Sequence, residues 1–117
     1  MEPLNLQSEI KIGTDLVHMP RYEKFVEDAR FIQKVLTPNE QYLFNALVHP
    51  RKKLEFLCGR YAAKEAYAKA KGTGIGVTSF LDIEVLKNES GCPISKQAQV
   101  SISHDGEYAI AMVLVYA

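Results

Sequence analysis

The stretch Pro50-Arg-Lys-Lys-Leu-Glu-Phe-Leu-Cys-Gly-Arg-Tyr-Ala-Ala-Lys-Glu-Ala-Tyr-Ala-Lys-Ala-Lys71 reads as one long helix. His49-Pro50 separates it from what precedes, and Gly72-Thr-Gly-Ile-Gly76 stops it. At about 100° per residue, Leu54, Leu57, Cys58, Tyr61, Ala62 and Ala68 share one arc. Glu65 lies near the middle of that arc, with Lys69 beside it. A carboxylate in an apolar stripe is costly unless it is paired or holds a metal. Two readings of Glu65 are therefore open. One is an i,i+4 bridge to Lys69, which would stabilise the helix by about 0.2–0.5 kcal/mol. The other is a place in a polar site. Lys53, Arg60, Lys64 and Lys71 form a separate ridge roughly 90–120° away, either a solvated face or an anion-binding one.

Working outward, the upstream segment Ile10 to Val17 alternates as a strand does. Ile10, Ile12 and Leu16 point one way, and Lys11, Gly13 and Asp15 the other. Pro20 opens a helix predicted to run to about Lys34, since proline suits a first helical turn. Thr37-Pro-Asn-Glu40 is a capping box that starts a second helix. Downstream of the long helix the pattern turns to β. Phe80 to Leu86 alternates and is predicted as a strand, Asn88 to Pro93 as a turn, and Gln99 to Ser103 as a strand. His104-Asp-Gly106 is a hairpin turn, leading into a last strand from Tyr108 to Val115. That strand is apolar on both faces, which places it centrally in a sheet. Helices in the first half and strands in the second make the expected class α+β, with the helices packed on a small, mainly antiparallel sheet. No repeat or internal boundary appears, so residues 1–117 are expected to form one domain, with residues 1–9 a flexible arm.

Composition narrows the function. The chain has 117 residues, 14 Lys and Arg against 14 Asp and Glu, and 47% hydrophobic residues, an ordinary globular balance. Such apolar content excludes disorder, and zero net charge argues against a strongly basic nucleic-acid module. Two cysteines, Cys58 and Cys92, are too few for a disulfide scaffold, and no Cys/His cluster has zinc-finger spacing. Met1 to Glu9 carries no Lys or Arg and no apolar run, unlike a signal peptide, and the longest apolar stretch, Tyr108 to Ala117, has ten residues. A cytoplasmic protein with no membrane segment is the expectation. The zero total hides an imbalance: residues 51–71 carry seven cations and two acids, a net +5, and the remainder carries −5. That excess is where an anionic ligand would go.

Asp15, in the first strand, changes the reading of Glu65. The two acids together would suit a hard cation such as Mg2+, which takes one or two carboxylates, waters and substrate phosphates. The basic segment would supply the counter-charge for those phosphates. Gly72, Gly74 and Gly76 read either as a helix cap with a tight turn or as a loop for close backbone approach to an anion. They follow a helix and precede a strand, the reverse of a dinucleotide fingerprint. Ser101-Ile-Ser-His-Asp105 does not make a triad, because neighbours in a strand alternate faces. His104 is either a turn histidine or a phosphate contact, and Cys58 suits core packing better than nucleophilic attack.

Five motifs then occur in order: Ile12-Gly-Thr-Asp-Leu-Val17, Phe56-Leu-Cys-Gly-Arg-Tyr-Ala-Ala-Lys-Glu-Ala-Tyr-Ala-Lys69, Gly72-Thr-Gly-Ile-Gly76, Phe80-Leu-Asp-Ile83 and Val100-Ser-Ile-Ser-His104. Together they resemble the holo-[acyl-carrier-protein] synthase family, the small bacterial type of 4′-phosphopantetheinyl transferase. The resemblance implies transfer of 4′-phosphopantetheine from coenzyme A to a serine of apo-acyl carrier protein, with Mg2+ as cofactor and release of adenosine 3′,5′-bisphosphate, in support of fatty acid biosynthesis. It implies Asp15 and Glu65 as catalytic metal ligands, and Lys69 at the leaving oxygen. Arg60, Lys69, Gly72, Gly74, Gly76 and His104 would surround the nucleotide and its phosphates. It implies a homotrimer with sites at subunit interfaces, which would let His104 serve a neighbour's site. Arg21, Lys24 and Phe25 would dock the acidic carrier, although Glu23, Glu27 and Asp28 dilute that face. Cys58, Cys92 and Asp105 depart from the family pattern, and an acid beside His104 would favour its cation. The general base is either Glu65 or a water at the metal. Two other readings compete: a nucleotide or nucleic-acid binding module using the +5 segment, and a purely structural oligomer.

Overall fold

The computed structural model describes residues 10–116, so the expected arm at residues 1–9 lies outside it. The order is β1 (Ile10–His18), a 3₁₀ helix (Met19–Phe25), α1 (Ala29–Val35), α2 (Pro38–Ala46) and α3 (Pro50–Lys71), then a 3₁₀ turn (Phe80–Asp82), β2 (Leu86–Lys87), β3 (Pro93–Ile94), β4 (Gln99–Asp105) and β5 (Tyr108–Tyr116). The strands β1, β5 and β4 form an antiparallel sheet in that spatial order, and β2 and β3 pair in a short separate ribbon. This is the α+β arrangement read from the sequence, with the doubly apolar β5 at the centre of the sheet.

Helix α3 lies across one face of this sheet. Its small residues Ala62, Ala63, Ala66 and Ala70 meet Ala109, Ala111, Val113 and Val115 of β5 in the main core. A second cluster, Ile32, Val35, Leu36, Phe44, Phe56, Leu57 and Phe80, fills the space between α3 and the shorter helices. Both flanks of α3 are therefore covered, and its buried surface is wider than a single arc.

The contact between β1 and α3 depends on Gly13. A methyl group placed on its Cα would stand 1.9 Å from the Ala66 carbonyl oxygen and 2.9 Å from the Ala70 amide nitrogen. Backbone atoms in a helix cannot step aside as a flexible side chain can, so strand and helix would have to separate.

Three sequence expectations are corrected. The helix predicted from Pro20 to Lys34 is two elements. Asp28 accepts a hydrogen bond from the Phe31 amide at 3.2 Å and so caps a new helix, α1, instead of continuing the old one. The strand predicted over Phe80 to Leu86 begins as a 3₁₀ turn. The Ser79 side chain accepts from the Leu81 amide, and Asp82 accepts from the Ser79 amide. These local bonds draw the backbone away from a ladder, and only Leu86 and Lys87 pair. Strand β4 in turn runs two residues past Ser103, to Asp105, which pairs with Tyr108 across a Gly106-Glu107 turn. Gly106 takes the positive φ of 57° that a two-residue hairpin of this type requires at its first position.

Two local expectations hold. Thr37 and Glu40 form the capping box of α2, and Gly72 ends α3 in the left-handed conformation. Glu40 does more than cap: its carboxylate accepts from Lys64 Nζ at 2.6 Å and from the Val85 amide at 2.7 Å, and all of this is fully buried.

Replacing Gly13 with alanine is expected to destabilise the protein by about 3 kcal/mol, the upper range for forcing a methyl into a packed core. Urea unfolding of Gly13→Ala reads this directly, and an unchanged midpoint would contradict the close approach.

Candidate active site

Asp15 sits on the face of β1 that turns toward α3, opposite Ile10, Ile12 and Leu16 of the same strand. Two turns apart on α3's facing side stand Tyr61 and, between it and Lys69, Glu65. Lys69 Nζ donates to Asp15 Oδ1 at 3.1 Å and to the Thr14 carbonyl at 3.0 Å. The i,i+4 bridge from Glu65 to Lys69 is therefore not what forms, because Lys69 reaches across to β1. The Asp15 side chain is 16% exposed and that of Lys69 54%, so the group opens to solvent at one edge.

The second acid is held near the first. Burial raises the Glu65 carboxyl above its ordinary range, and the negative charge of Asp15 raises it further. The Tyr61 hydroxyl and the Lys69 ammonium oppose the shift. Two carboxylates held close, one of them poorly solvated, cost free energy that a dication would relieve. No group of three or more His, Cys, Asp or Glu able to hold a metal occurs among the described residues. The pair fits a hard cation that completes its shell with water and ligand phosphate oxygens, and it does not fit a structural zinc.

The glycine loop begins one turn after Lys69. Gly72, Gly74 and Gly76 all have positive φ, at 75°, 69° and 124°. The Thr73 and Gly74 amides fold back on the Ala68 carbonyl, so the loop is a helix cap. It also leaves open space where side chains would project, since no atom lies within 4 Å of an added Cβ at any of the three. The cap and the ligand-approach readings are compatible.

The basic ridge of the helix is interrupted: Lys71 is exposed and Lys53 half-buried, but the two members between them are interior. Lys64 points into the core, donating to Glu40 and to the Val35 carbonyl at 2.7 Å. Burial lowers its ammonium below the usual lysine range, with Glu40 opposing. Arg60 is likewise turned inward. Its Nε donates to the Val85 carbonyl at 3.1 Å and its Nη2 to the Leu86 carbonyl at 3.0 Å, while the guanidinium lies 4.0 Å from the Phe56 ring. Burial brings its pKa down to about 10, against the pull of Glu40. Lys53 donates to the Phe44 carbonyl. Of the seven cations in the +5 segment, Arg60 and Lys64 are interior, while Arg51, Lys52, Lys69 and Lys71 stay exposed.

His104 is apart from the acid pair. Its Nε2 hydrogen-bonds the Glu55 carbonyl at 3.0 Å, and it packs where Gly59 leaves room. Glu55 and Glu65 are ten residues apart on α3, so His104 lies about 15 Å along the helix from the acids of its own chain. Asp105 follows it on the alternate face of β4, and no ion pair joins the two. On the 3₁₀ helix, Arg21 and Lys24 are exposed, while Phe25 stacks on Phe31 at 4.1 Å and is partly committed to packing. Cys58 is buried, and burial pushes its thiol up to about 12, as befits a core residue.

Sequence reasoning gave no site role to two residues, Tyr61 and the Tyr22 that packs against it. Tyr22 and Tyr61 have ring centroids 4.9 Å apart, and Tyr61 precedes Glu65 by one helical turn. The i,i+4 spacing was a usable signal for Tyr61; nothing in the sequence pointed to Tyr22.

An α3 that carries Glu65 and Lys69 against a strand carrying Asp15, with a glycine loop beyond, belongs to a known class. The model of the 4′-phosphopantetheinyl transferase superfamily matches residues 11–113. A holo-[acyl-carrier-protein] synthase of Geobacillus sp. is 46% identical over 91% of this chain and 95% of its own. That of Bacillus pumilus is 49% identical over 89% of this chain and 93% of its own. Among solved structures, a Bacillus anthracis holo-(acyl-carrier-protein) synthase in complex with CoA (3′,5′-ADP) has a TM-score of 0.84 at 41% identity, covering 93% of this chain and 98% of that one. A Helicobacter pylori holo-[acyl-carrier-protein] synthase in complex with coenzyme A has a TM-score of 0.77 at 34% identity, covering 91% of this chain and 99% of that one. The chain belongs to the holo-[acyl-carrier-protein] synthase family of 4′-phosphopantetheinyl transferases and is an enzyme.

Arg60→Met leaves the Val85 and Leu86 carbonyls without their donor. It is expected to cost about 2 kcal/mol, as for buried acceptors left unmet, seen as a lower urea midpoint. Unaltered stability would return Arg60 to a surface role.

Proposed function

We propose that this enzyme transfers 4′-phosphopantetheine from coenzyme A to a serine of apo-acyl carrier protein, with Mg2+ held by Asp15 and Glu65. The observation that carries the reading is the meeting of Asp15, Glu65 and Lys69 at one solvent-open edge beside the glycine loop. A Mg2+ ion there would neutralise pyrophosphate oxygens of coenzyme A and hold them for in-line attack. The rest of the chemistry falls to the chain's own groups. The carrier serine oxygen bonds to the β-phosphorus, and the bond from that phosphorus to the bridging oxygen breaks. Adenosine 3′,5′-bisphosphate departs with the bridging oxygen, where the Lys69 ammonium neutralises the charge or gives a proton. The serine proton passes to Glu65 or to a water beside it. The open space beside Gly72, Gly74 and Gly76 admits the phosphates close to the backbone, and Arg60 fixes the segment that enters β2. The nucleophile belongs to the carrier, which explains why Cys58 is inert and Ser103 and His104 form no triad.

Arg21, Lys24 and the accessible edge of Phe25 are the docking surface for the acidic carrier, supplied by fatty acid synthesis in the cytoplasm. None of the described helices is long and apolar enough to cross a membrane.

We also read the enzyme as a homotrimer with sites between subunits. The aliphatic side of β1 is turned outward: Ile12 is 67% exposed and Leu16 63%, beside Met112 at 57% and Ile110 and Tyr116 of β5. A sheet face this apolar calls for a cover, and a neighbouring copy would supply one. On this reading His104, about 15 Å along α3 from its own acids, serves a neighbour's site.

Incubation of apo-carrier with coenzyme A, Mg2+ and enzyme is expected to add one phosphopantetheine, read by intact-mass spectrometry. No addition on an active carrier overturns the reading. Glu65→Gln should remain folded and lose about a hundredfold in turnover, the scale for removing one group that stabilises transition-state charge. Mixing refolded Glu65→Gln with His104→Ala should restore activity that neither has alone, in particles three chains in mass by sedimentation. Failure of the mixture to recover would place each site within one chain.

A further inference from the structure

We infer that Tyr61 is a positioning residue whose hydroxyl, anchored through an aromatic cluster, orients the Glu65 carboxylate. The inference rests on the reading of Glu65 as a metal-holding acid. Tyr61 and Glu65 are i and i+4 on α3, so their side chains share one face and lie one above the other. The Tyr61 ring has little freedom. Its centroid is 4.9 Å from that of Tyr22 and 5.2 Å from that of Phe80, with the Phe31 ring near-parallel to it at 6.2 Å. Those three rings come from three different elements, the 3₁₀ helix after β1, the turn before β2, and α1. Tyr22 is itself braced by Phe25 and Phe31.

With the ring so held, the hydroxyl is the only part of Tyr61 left to act. Helical spacing turns it along the face that Glu65 shares, with the Tyr22 ring packed against its own. A phenol is un-ionised near neutral pH and serves as an O–H donor. A carboxylate at the end of a flexible three-bond side chain gains direction from such a donor. Outer partners of this kind, which orient a metal-holding acid without touching the metal, are commonly worth ten- to a hundredfold in affinity or activity. The same cluster joins the docking helix to the site: Tyr22 lies between Arg21 and Lys24 in sequence and touches Tyr61 in space. A carrier seated on that helix would press on the element that holds Glu65 in place.

Tyr61→Phe keeps the ring and removes one oxygen, so folding and the aromatic cluster should survive, with the urea midpoint close to wild type. Three readouts separate positioning from packing. Turnover should fall about tenfold while the KM for coenzyme A stays within about twofold. Mg2+ affinity, titrated calorimetrically into enzyme with coenzyme A bound, should weaken about tenfold. In the Glu65→Ala background the same substitution should change Mg2+ affinity no further, because alanine leaves no acceptor for the hydroxyl. Wild-type turnover and Mg2+ affinity in Tyr61→Phe would overturn the inference, and so would an equal loss in the Glu65→Ala background. Mg2+-independent transfer by the wild type would overturn the reading of Glu65 and this inference with it.

Discussion

The buried pair of Lys64 and Glu40 sets the rotation of α3, and the site follows from that rotation. Its ammonium and carboxylate stand 2.6 Å apart with neither side chain reached by solvent. Removing two charges from water costs several kcal/mol for each ion, and their attraction offsets this only when the remaining hydrogen bonds are also made. Here they are. Lys64 also donates to the Val35 carbonyl, and Glu40 also accepts from the Thr37 and Val85 amides. One carboxylate therefore caps α2, neutralises α3 and holds the chain that enters β2. With Lys64 facing the short helices, the next residue is turned about 100° around the axis. That turn aims Glu65 toward β1 and Asp15. A neutral pair would fill the same space and hold the rotation less strictly.

The other constraint is distance. Asp15 meets the acid of α3 because Gly13, two residues earlier on the same face of β1, lets the strand touch the helix backbone at Ala66 and Ala70. The alanines of α3 serve the same close packing. The result is an acid pair under strain from burial and like charge, moderated by Lys69 and Tyr61. A site of this kind gains most from a ligand that brings positive charge to the acids and negative charge to Lys69 and the loop, which is what a metal-bound pyrophosphate does.

Much of this was legible in the sequence, and the reasons differ by residue. The extent of α3, the capping box at Thr37 and the central place of β5 follow from local signals of capping, period and apolar content, which act within a few residues. The break at Asp28 and the turn at Ser79 were missed because a side chain competing for backbone amides looks, from pattern alone, like one more polar position. The basic ridge was misread for a different cause. Helical projection gives the angle of Lys64 and Arg60 but not what stands opposite, and both Glu40 and the Val85 and Leu86 carbonyls come from elsewhere in the chain. The outward face of β1 was equally hidden, since alternation does not say which side is covered.

By itself, then, the sequence determined the class of fold, the helix that carries Glu65 and Lys69, the strand that carries Asp15, and the family, through five motifs in fixed order. Those are properties of spacing, and spacing is written in one dimension. Tertiary structure alone decided which cations are free. Of the residues that seemed to form one charged ridge, Lys64 and Arg60 became internal struts, and Lys69, off that ridge, became the partner of Asp15. It also decided that His104 stands about 15 Å along α3 from the acids and that the Tyr61 ring packs against Tyr22. The physical reason is that a charge is defined by what surrounds it: desolvation, an opposing carboxylate or two backbone carbonyls turn the same lysine or arginine from a ligand-binding group into part of the core.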